Sequence, residues 1–230
     1  MRWEIANKFA KLVIPNLDLN SRVAILGGSL SDVEVEIIKR HSPSIELFVI
    51  GIENENLDQN FIFLDLNTLR DESILPSFDL VICSQVLEHV WNHANFFENL
   101  AKLCKVNGSL WLACPKSNME HGSPEYFSAG FTSEYLARNL QEKKFEVIEH
   151  GDLGSRRYYI STHLNQEWLG QNEHKRPVRG FDWKNGTPLG KINRFRKLLI
   201  GRILLTFYKS KLLEGSQFST ESWVLAFKNS

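Results

Sequence analysis

Cysteine is scarce in this chain and follows no pattern. The three thiols among its 230 residues, Cys83, Cys104 and Cys114, are odd in number, lie inside apolar stretches and lack the spacing of metal ligands. This excludes a disulfide scaffold and a cysteine metal site, and it predicts reduced core thiols in a cytoplasmic setting. Long apolar runs are missing as well. The longest near the C-terminal end, Leu198 to Tyr208, is about half of the roughly 20 residues a spanning helix needs, and Arg202 interrupts it. The N-terminal stretch from Met1 to Lys8 carries charge where a signal peptide needs an apolar run. Net charge is also absent, with 27 basic residues balancing 27 acidic ones, and no internal repeat or low-complexity tract occurs. A hydrophobic content of 43% with 23% charged residues excludes disordered and fibrous classes. What remains is a soluble globular chain, long enough for one large domain with an elaboration.

The charge balance hides an asymmetry. Residues 155–215 hold 13 Lys/Arg and 4 Asp/Glu, a net +9, and the rest of the chain is −9. The basic part is either a solvated face or a partner surface. Within it, Lys191, Arg194, Arg196, Lys197, Arg202, Lys209 and Lys211 are interleaved with Ile192, Phe195, Leu199, Ile203 and Leu212. That pattern predicts a basic amphipathic helix over 190–213, suited to a phosphorylated substrate, an anionic membrane surface or an acidic patch on another subunit, or else a lid over the sheet. Nucleic acid is a weaker fit because the rest of the chain is acidic.

Along the chain, short apolar runs alternate with helical patterns. An amphipathic helix is expected over residues 1–13, stopped by Pro15. Arg22–Leu26 reads as a strand buried on both faces, ending in Gly27-Gly28, and Ser31 with Glu34 forms a capping box for a helix to about Arg40. Glu46–Ile52, Phe61–Leu64, Phe78–Cys83, Ser109–Cys114 and Phe145–Glu149 read as further strands. Helices are expected over Val86–Val90, Ala94–Cys104 and from Thr132 to Lys144, and Glu221–Phe227 as a returning strand. The alternation means βαβ units and a parallel sheet, whose ligands bind beyond the C-terminal strand ends. Gly27, Glu53, Asp65 and Ser84 all fall at that edge.

The glycine loop Gly27-Gly28-Ser29-Leu30-Ser31 is not G-x-G-x-x-G, which argues against a nicotinamide dinucleotide. Glu53 can accept hydrogen bonds from both hydroxyls of a ribose, and Asp65 from an adenine amino group. Each acid alone reads equally as a loop acid or a helix cap, but both in register after successive strands favour a nucleoside. His89 and His121 are candidate general bases, since each titrates near neutrality and follows a strand on this edge. His89 reads equally as a histidine packed between helix and sheet.

Phe78-Asp79-Leu80-Val81-Ile82-Cys83-Ser84-Gln85-Val86-Leu87-Glu88-His89-Val90 resembles the segment that follows the fourth strand in class I S-adenosylmethionine-dependent methyltransferases of small molecules. Phe96–Leu100, Leu103–Leu110 and Cys114-Pro115-Lys116-Ser117-Asn118 resemble the segments that come next, and the likeness spans about residues 20–150 plus the last strand. The resemblance implies an α/β, Rossmann-like, seven-stranded and mostly parallel sheet with an antiparallel last strand. It divides the chain into a core over 1–154, a basic helical insertion over 155–215 that supplies acceptor specificity, and the returning strand in 216–230. It further implies S-adenosylmethionine with Gly27, Gly28 and Ser29 against its amino-acid portion, Glu53 on the ribose, Asp65 and Leu66 at the adenine, and Ser84 and Gln85 on the sulfonium side.

The chain departs from the family at Ile25, where an acid is usual, and at Ser29 and Ser31, where glycines are. Gln85, Glu88 and His89 also repeat a spacing at which small-RNA 3′-end methyltransferases place Glu, Glu and His around a divalent ion. Gln85 removes a charged ligand that a hard cation favours, so no metal is expected. The expected activity is methyl transfer to a small-molecule hydroxyl, with a saccharide or nucleotide-activated sugar suggested by the Trp, Tyr, His and Arg of 119–183. The alternative is a catalytically inactive binding or scaffold protein that keeps the fold.

Overall fold

A computed structural model of the chain describes residues 3–53, 60–69, 77–118, 124–154, 199, 203, 213–214 and 219–229. The buried five-residue run at Arg22–Leu26 forms β1, and the next apolar runs form β2 (Glu46–Gly51) and β3 (Phe61–Phe63). They pair in parallel from β1 outward to β3. The chain then crosses to the other side of β1, where β4 (Phe78–Ser84) and β5 (Cys104–Pro115) continue the parallel sheet. β6 (Phe145–Gly154) and the two-residue β7 (Leu213–Glu214) form the far edge, and β8 (Glu221–Lys228) inserts antiparallel between β5 and β6. The resulting order, β3-β2-β1-β4-β5-β8-β6-β7, is the expected Rossmann-like sheet of seven strands with an antiparallel last strand, extended at one edge by the short β7. Its order reverses between β1 and β4, which makes the crevice beyond their C-terminal ends the natural ligand position.

Helices cover both faces. Ile5 and Phe9 of α1 (Trp3–Leu12) and Ile38 of α2 (Val33–His41) pack with Val23, Leu80, Ile82, Trp111 and Trp223 on one face. The Trp111 and Trp223 rings stack with centroids 5.5 Å apart. On the other face Phe96, Phe97 and Leu100 of α3 (His93–Leu103) and Leu136 and Leu140 of α4 (Ser133–Glu142) meet Leu26, Val81, Cys83, Leu110 and Val224. Each such side chain contributes about 1.5–3 kcal/mol by leaving water. Thr132 caps α4 as expected, accepting from the Tyr135 amide at 3.2 Å.

Local expectations fail in two places. The capping box at Ser31 does not form: α2 starts later, and Glu34 is drawn inward to 2% exposure against Ile25 and Ile82. The helix expected over Val86–Val90 is only a 3-10 turn, Leu87–His89, because the chain is held there by sheet contacts on one side and by the 124–128 segment on the other. All three cysteines are buried and free. The expected helical insertion lies outside the described residues except for Leu199 and Ile203, which are helical and exposed, and the β7 pair. Among the described residues, no helix is long and apolar enough to cross a membrane.

Candidate active site

The loops after β1, β2, β3 and β4 enclose a cavity of about 420 Å³ at the switch point. Its wall includes Gly27, Gly51, Ile52, Leu66, Val86 and His89. Gly27 builds the floor: its φ is +62°, and a Cβ there would lie 2.7 Å from Val86 Cγ2. Only a residue without a side chain lets β1 turn so close to the segment leaving β4. The Gly27 amide donates to Ile50 O at 2.8 Å and ties the turn to β2.

The expected site residues separate into three groups. Gly27, Asp65, Leu66, Gln85 and His89 line the cavity. Glu53 is exposed beyond the end of β2, next to Ile52 of the cavity wall. Gly28, Ser29 and Ser84 lie off the wall. The Ser29 amide and hydroxyl donate to the Asp32 carboxylate at 3.0 and 3.2 Å, and the carboxylate sits so close that a Cβ on Gly28 would be 2.2 Å from Asp32 Oδ2. Ser84 shares the strand face of Leu80 and Ile82, so its side chain enters a small cleft with Ile25 and Glu34 on the α2 side instead of the cavity. Burial raises Glu34 above its ordinary value, an effect the Ser84 hydroxyl partly offsets. His121 lies outside the described residues.

Asp65 is committed locally. Its Oδ1 accepts from the Asn67 amide and side chain at 2.9 and 3.0 Å, and its Oδ2 from Thr68 Oγ1 at 3.4 Å. The turn it holds presents Asn67 Oδ1 to the amides of Trp91 and Asn92 at 2.9 and 3.1 Å, which fastens the β3 loop to the β4 loop. Trp91 and Phe127 stand 63% and 51% exposed at the cavity rim.

The segment after β4 carries the titratable groups. Gln85 adopts φ +60°, uncommon for a side-chain-bearing residue, and its Nε2 donates to Glu221 Oε2 at 2.9 Å. His89 Nδ1 donates to the carbonyl of Glu125, and the ring meets Tyr126 edge-on at 5.9 Å. The amides of Phe127 and Ser128 donate to the carbonyl of Glu88 and fasten this segment over the turn. The Glu88 side chain is fully buried, and burial, aided by repulsion from Glu221, pushes its carboxyl up to about 8. Among the described residues, no three His, Cys, Asp or Glu side chains converge as a metal site requires.

Sequence reasoning missed Asp32, Asn67 and Glu221 as shapers of this edge. Asn67 follows Asp65 at Asx-turn spacing and was readable in principle. The other two depend on contacts that no local pattern encodes.

Residues 23–112 match the family model of a methyltransferase domain. The fold is similar to that of a SAM-dependent methyltransferase from Archaeoglobus fulgidus, at 14% identity over 99% of this chain and 95% of that one, with a TM-score of 0.56. It is similar to coclaurine N-methyltransferase bound to N-methylheliamine and SAH, at 13% identity over 97% and 72%, with a TM-score of 0.54. It is similar as well to the [4+2]-cyclase SpnF, at 14% identity over 98% and 80%, with a TM-score of 0.56. A search of curated proteins gives no match.

Proposed function

We propose that this chain, whose residues 23–112 match the family model of a methyltransferase domain, transfers a methyl group from S-adenosylmethionine to a hydroxyl of a small molecule. The observation that carries this reading is the cavity floored by Gly27 at the switch point, apolar at Leu66 and Val86 and polar at its rim. Its volume, about 420 Å³, falls within the roughly 300–1,000 Å³ of small-molecule sites. The residues present fit the cofactor. Gly27 leaves the space a side chain would fill, Leu66 offers an apolar face for a purine, and Glu53, exposed past the end of β2, offers a bidentate acceptor for a ribose diol. When bound, the cofactor supplies an electrophilic methyl group on its sulfonium.

The chain's own residues then align and deprotonate the acceptor. His89 keeps its Nδ1 proton on the Glu125 carbonyl, so the neutral ring offers the Nε2 lone pair. The acceptor hydroxyl would give its proton to Nε2, so that its oxygen is held as a nucleophile facing the space the cofactor's methyl group would occupy. Trp91 and Phe127 at the rim suit stacking against a sugar ring, which supports a saccharide or nucleotide-activated sugar as acceptor. The basic 190–213 stretch suits a phosphate on that acceptor or an anionic membrane surface. Free buried thiols at Cys83, Cys104 and Cys114 suit a reducing cytoplasm.

Calorimetric titration with S-adenosylmethionine and S-adenosylhomocysteine tests the reading: saturable binding of both is expected, and no heat with either at millimolar concentration refutes it. A non-catalytic binding protein is the second reading, favoured by the Asp32 carboxylate that already occupies the Ser29 amide. Glu53→Ala separates the two, because an enzyme loses cofactor affinity while a scaffold keeps its partner.

A further inference from the structure

The partly buried acids Asp152 and Asp79 are paired. Asp152 accepts from the Ser133 amide at 3.0 Å, from Ser222 Oγ at 2.7 Å and from Lys116, and these partners overcome burial to hold it below the usual carboxylate value. Asp79 accepts from Lys105 Nζ and the Arg22 amide, both at 2.8 Å. Glu88 differs from both. It is 0% exposed, and among the described residues neither carboxylate oxygen has a hydrogen-bond partner. An acid left so is costly to the fold, and a purely structural residue at this position would be apolar.

The group nearest to repaying that cost is the ring beside it. Glu88 Oε1 lies 3.9 Å from His89 Nε2, the nitrogen left without a proton by the Nδ1 bond to Glu125 O. The other titratable groups facing Glu88 are the Cys83 thiol of β4, the Cys114 thiol of β5 and Glu221 of β8, the last held by Gln85. Tyr126 meets the imidazole edge-on. None of these is a cation, and among the described residues no lysine or arginine forms an ion pair with Glu88.

We propose that Glu88 is a positioning residue that acts through His89, its buried carboxylate facing Nε2 so that the ring binds a proton more tightly and is a stronger base. This rests on the methyl-transfer reading of the site. The imidazolium created when Nε2 takes the acceptor's proton is the one positive charge among the described residues that Glu88 can meet, so the interaction appears as the proton moves and is weak before it. Glu88 and His89 therefore titrate as a coupled pair.

The test needs no acceptor. In the intact chain with labelled histidine, the His89 ring signals are followed against pH in the wild type, in Glu88→Gln and in Glu88→Leu. S-adenosylhomocysteine binding is measured in parallel. The expected result is a His89 midpoint about one to three pH units lower in both variants, with the affinity for S-adenosylhomocysteine within about twofold and the fold retained. An unchanged midpoint overturns the proposal, as does loss of folding in both variants, which makes Glu88 a structural residue. If no form binds S-adenosylhomocysteine, the methyl-transfer reading fails, and the His89 midpoint still reports whether the pair exists.

Discussion

The sheet has a cleft at each end, and the larger one lies away from the chemistry. At the N-terminal strand ends a groove of about 470 Å³ runs past Leu17, Asp79, Asn107 and Phe227. One of its acids, Asp79, is paired: burial works to raise it, but the Lys105 ammonium and the Arg22 amide prevail and hold it below the usual carboxylate value. At the C-terminal ends the cavity is slightly smaller, yet its edge gathers what the other lacks. The Glu88 carboxylate is buried there, and among the described residues neither of its oxygens has a hydrogen-bond partner. Satisfied polar groups mark an edge that only holds the fold together, and unsatisfied ones mark an edge arranged for something else. Cavity size alone does not find the site.

The sharpest way to break this contrast is to remove one acid from each end. Glu53→Ala should weaken S-adenosylhomocysteine binding about 10- to 100-fold, the worth of charge-assisted hydrogen bonds to a ribose diol. Glu46→Ala, which only opens the exposed pair with Arg22 at 3.2 Å, should leave binding unchanged in the same calorimetric titration. Equal losses at both ends erase the distinction. Next in size is Gly27→Ala, which adds strain in the left-handed region and a Cβ 2.7 Å from Val86. Thermal unfolding should register a loss of about 1–3 kcal/mol, part of it restored by adding Val86→Ala.

The pH dependence of stability tests the same difference in another currency. The Glu88 carboxyl is raised from 4.5 to about 8 in the folded chain, so the native state holds a proton that the unfolded chain releases. Stability from this group is therefore greatest below about 4.5, falls as pH rises towards about 8, and is flat above. Glu88→Leu should abolish that fall and make the protein more stable at pH 8, by about 1–3 kcal/mol in urea unfolding. A parallel decline in the variant assigns the slope to other groups. The smallest effect is expected at Asp32. Asp32→Ala frees the Ser29 amide and removes a negative charge from the loop, and affinity for S-adenosylhomocysteine should rise up to about fivefold.

Much of this architecture was legible in the order of residues. Strands buried on both faces leave uninterrupted apolar runs, and those at Arg22, Glu46, Phe78 and Ser109 each became a parallel strand. The returning strand at Glu221 was legible for the same reason. Element edges were less so, because tertiary contacts settle them. Glu34 looked like a capping residue until burial against Ile25 claimed it, and the turn at Leu87–His89 is held short by the 124–128 segment. In the site, positions along the chain were readable while directions were not. Ser84 ends its strand where expected, but the alternation of side chains turns it towards α2. Asp65 reaches the rim, yet the Asn two residues later draws its carboxylate into a local turn. Glu221 meets Gln85 across 136 residues, a pairing no local pattern announces.

One measurement bears most directly on the claim that the switch-point cavity receives the cofactor: the map of backbone amide shifts on adding S-adenosylhomocysteine to the labelled protein. The largest changes are predicted at Gly27, Gly51, Leu66 and Gln85, with Leu17, Asn107 and Phe227 unmoved. Changes confined to the groove at the opposite end of the sheet, or none at saturating ligand, would contradict the account.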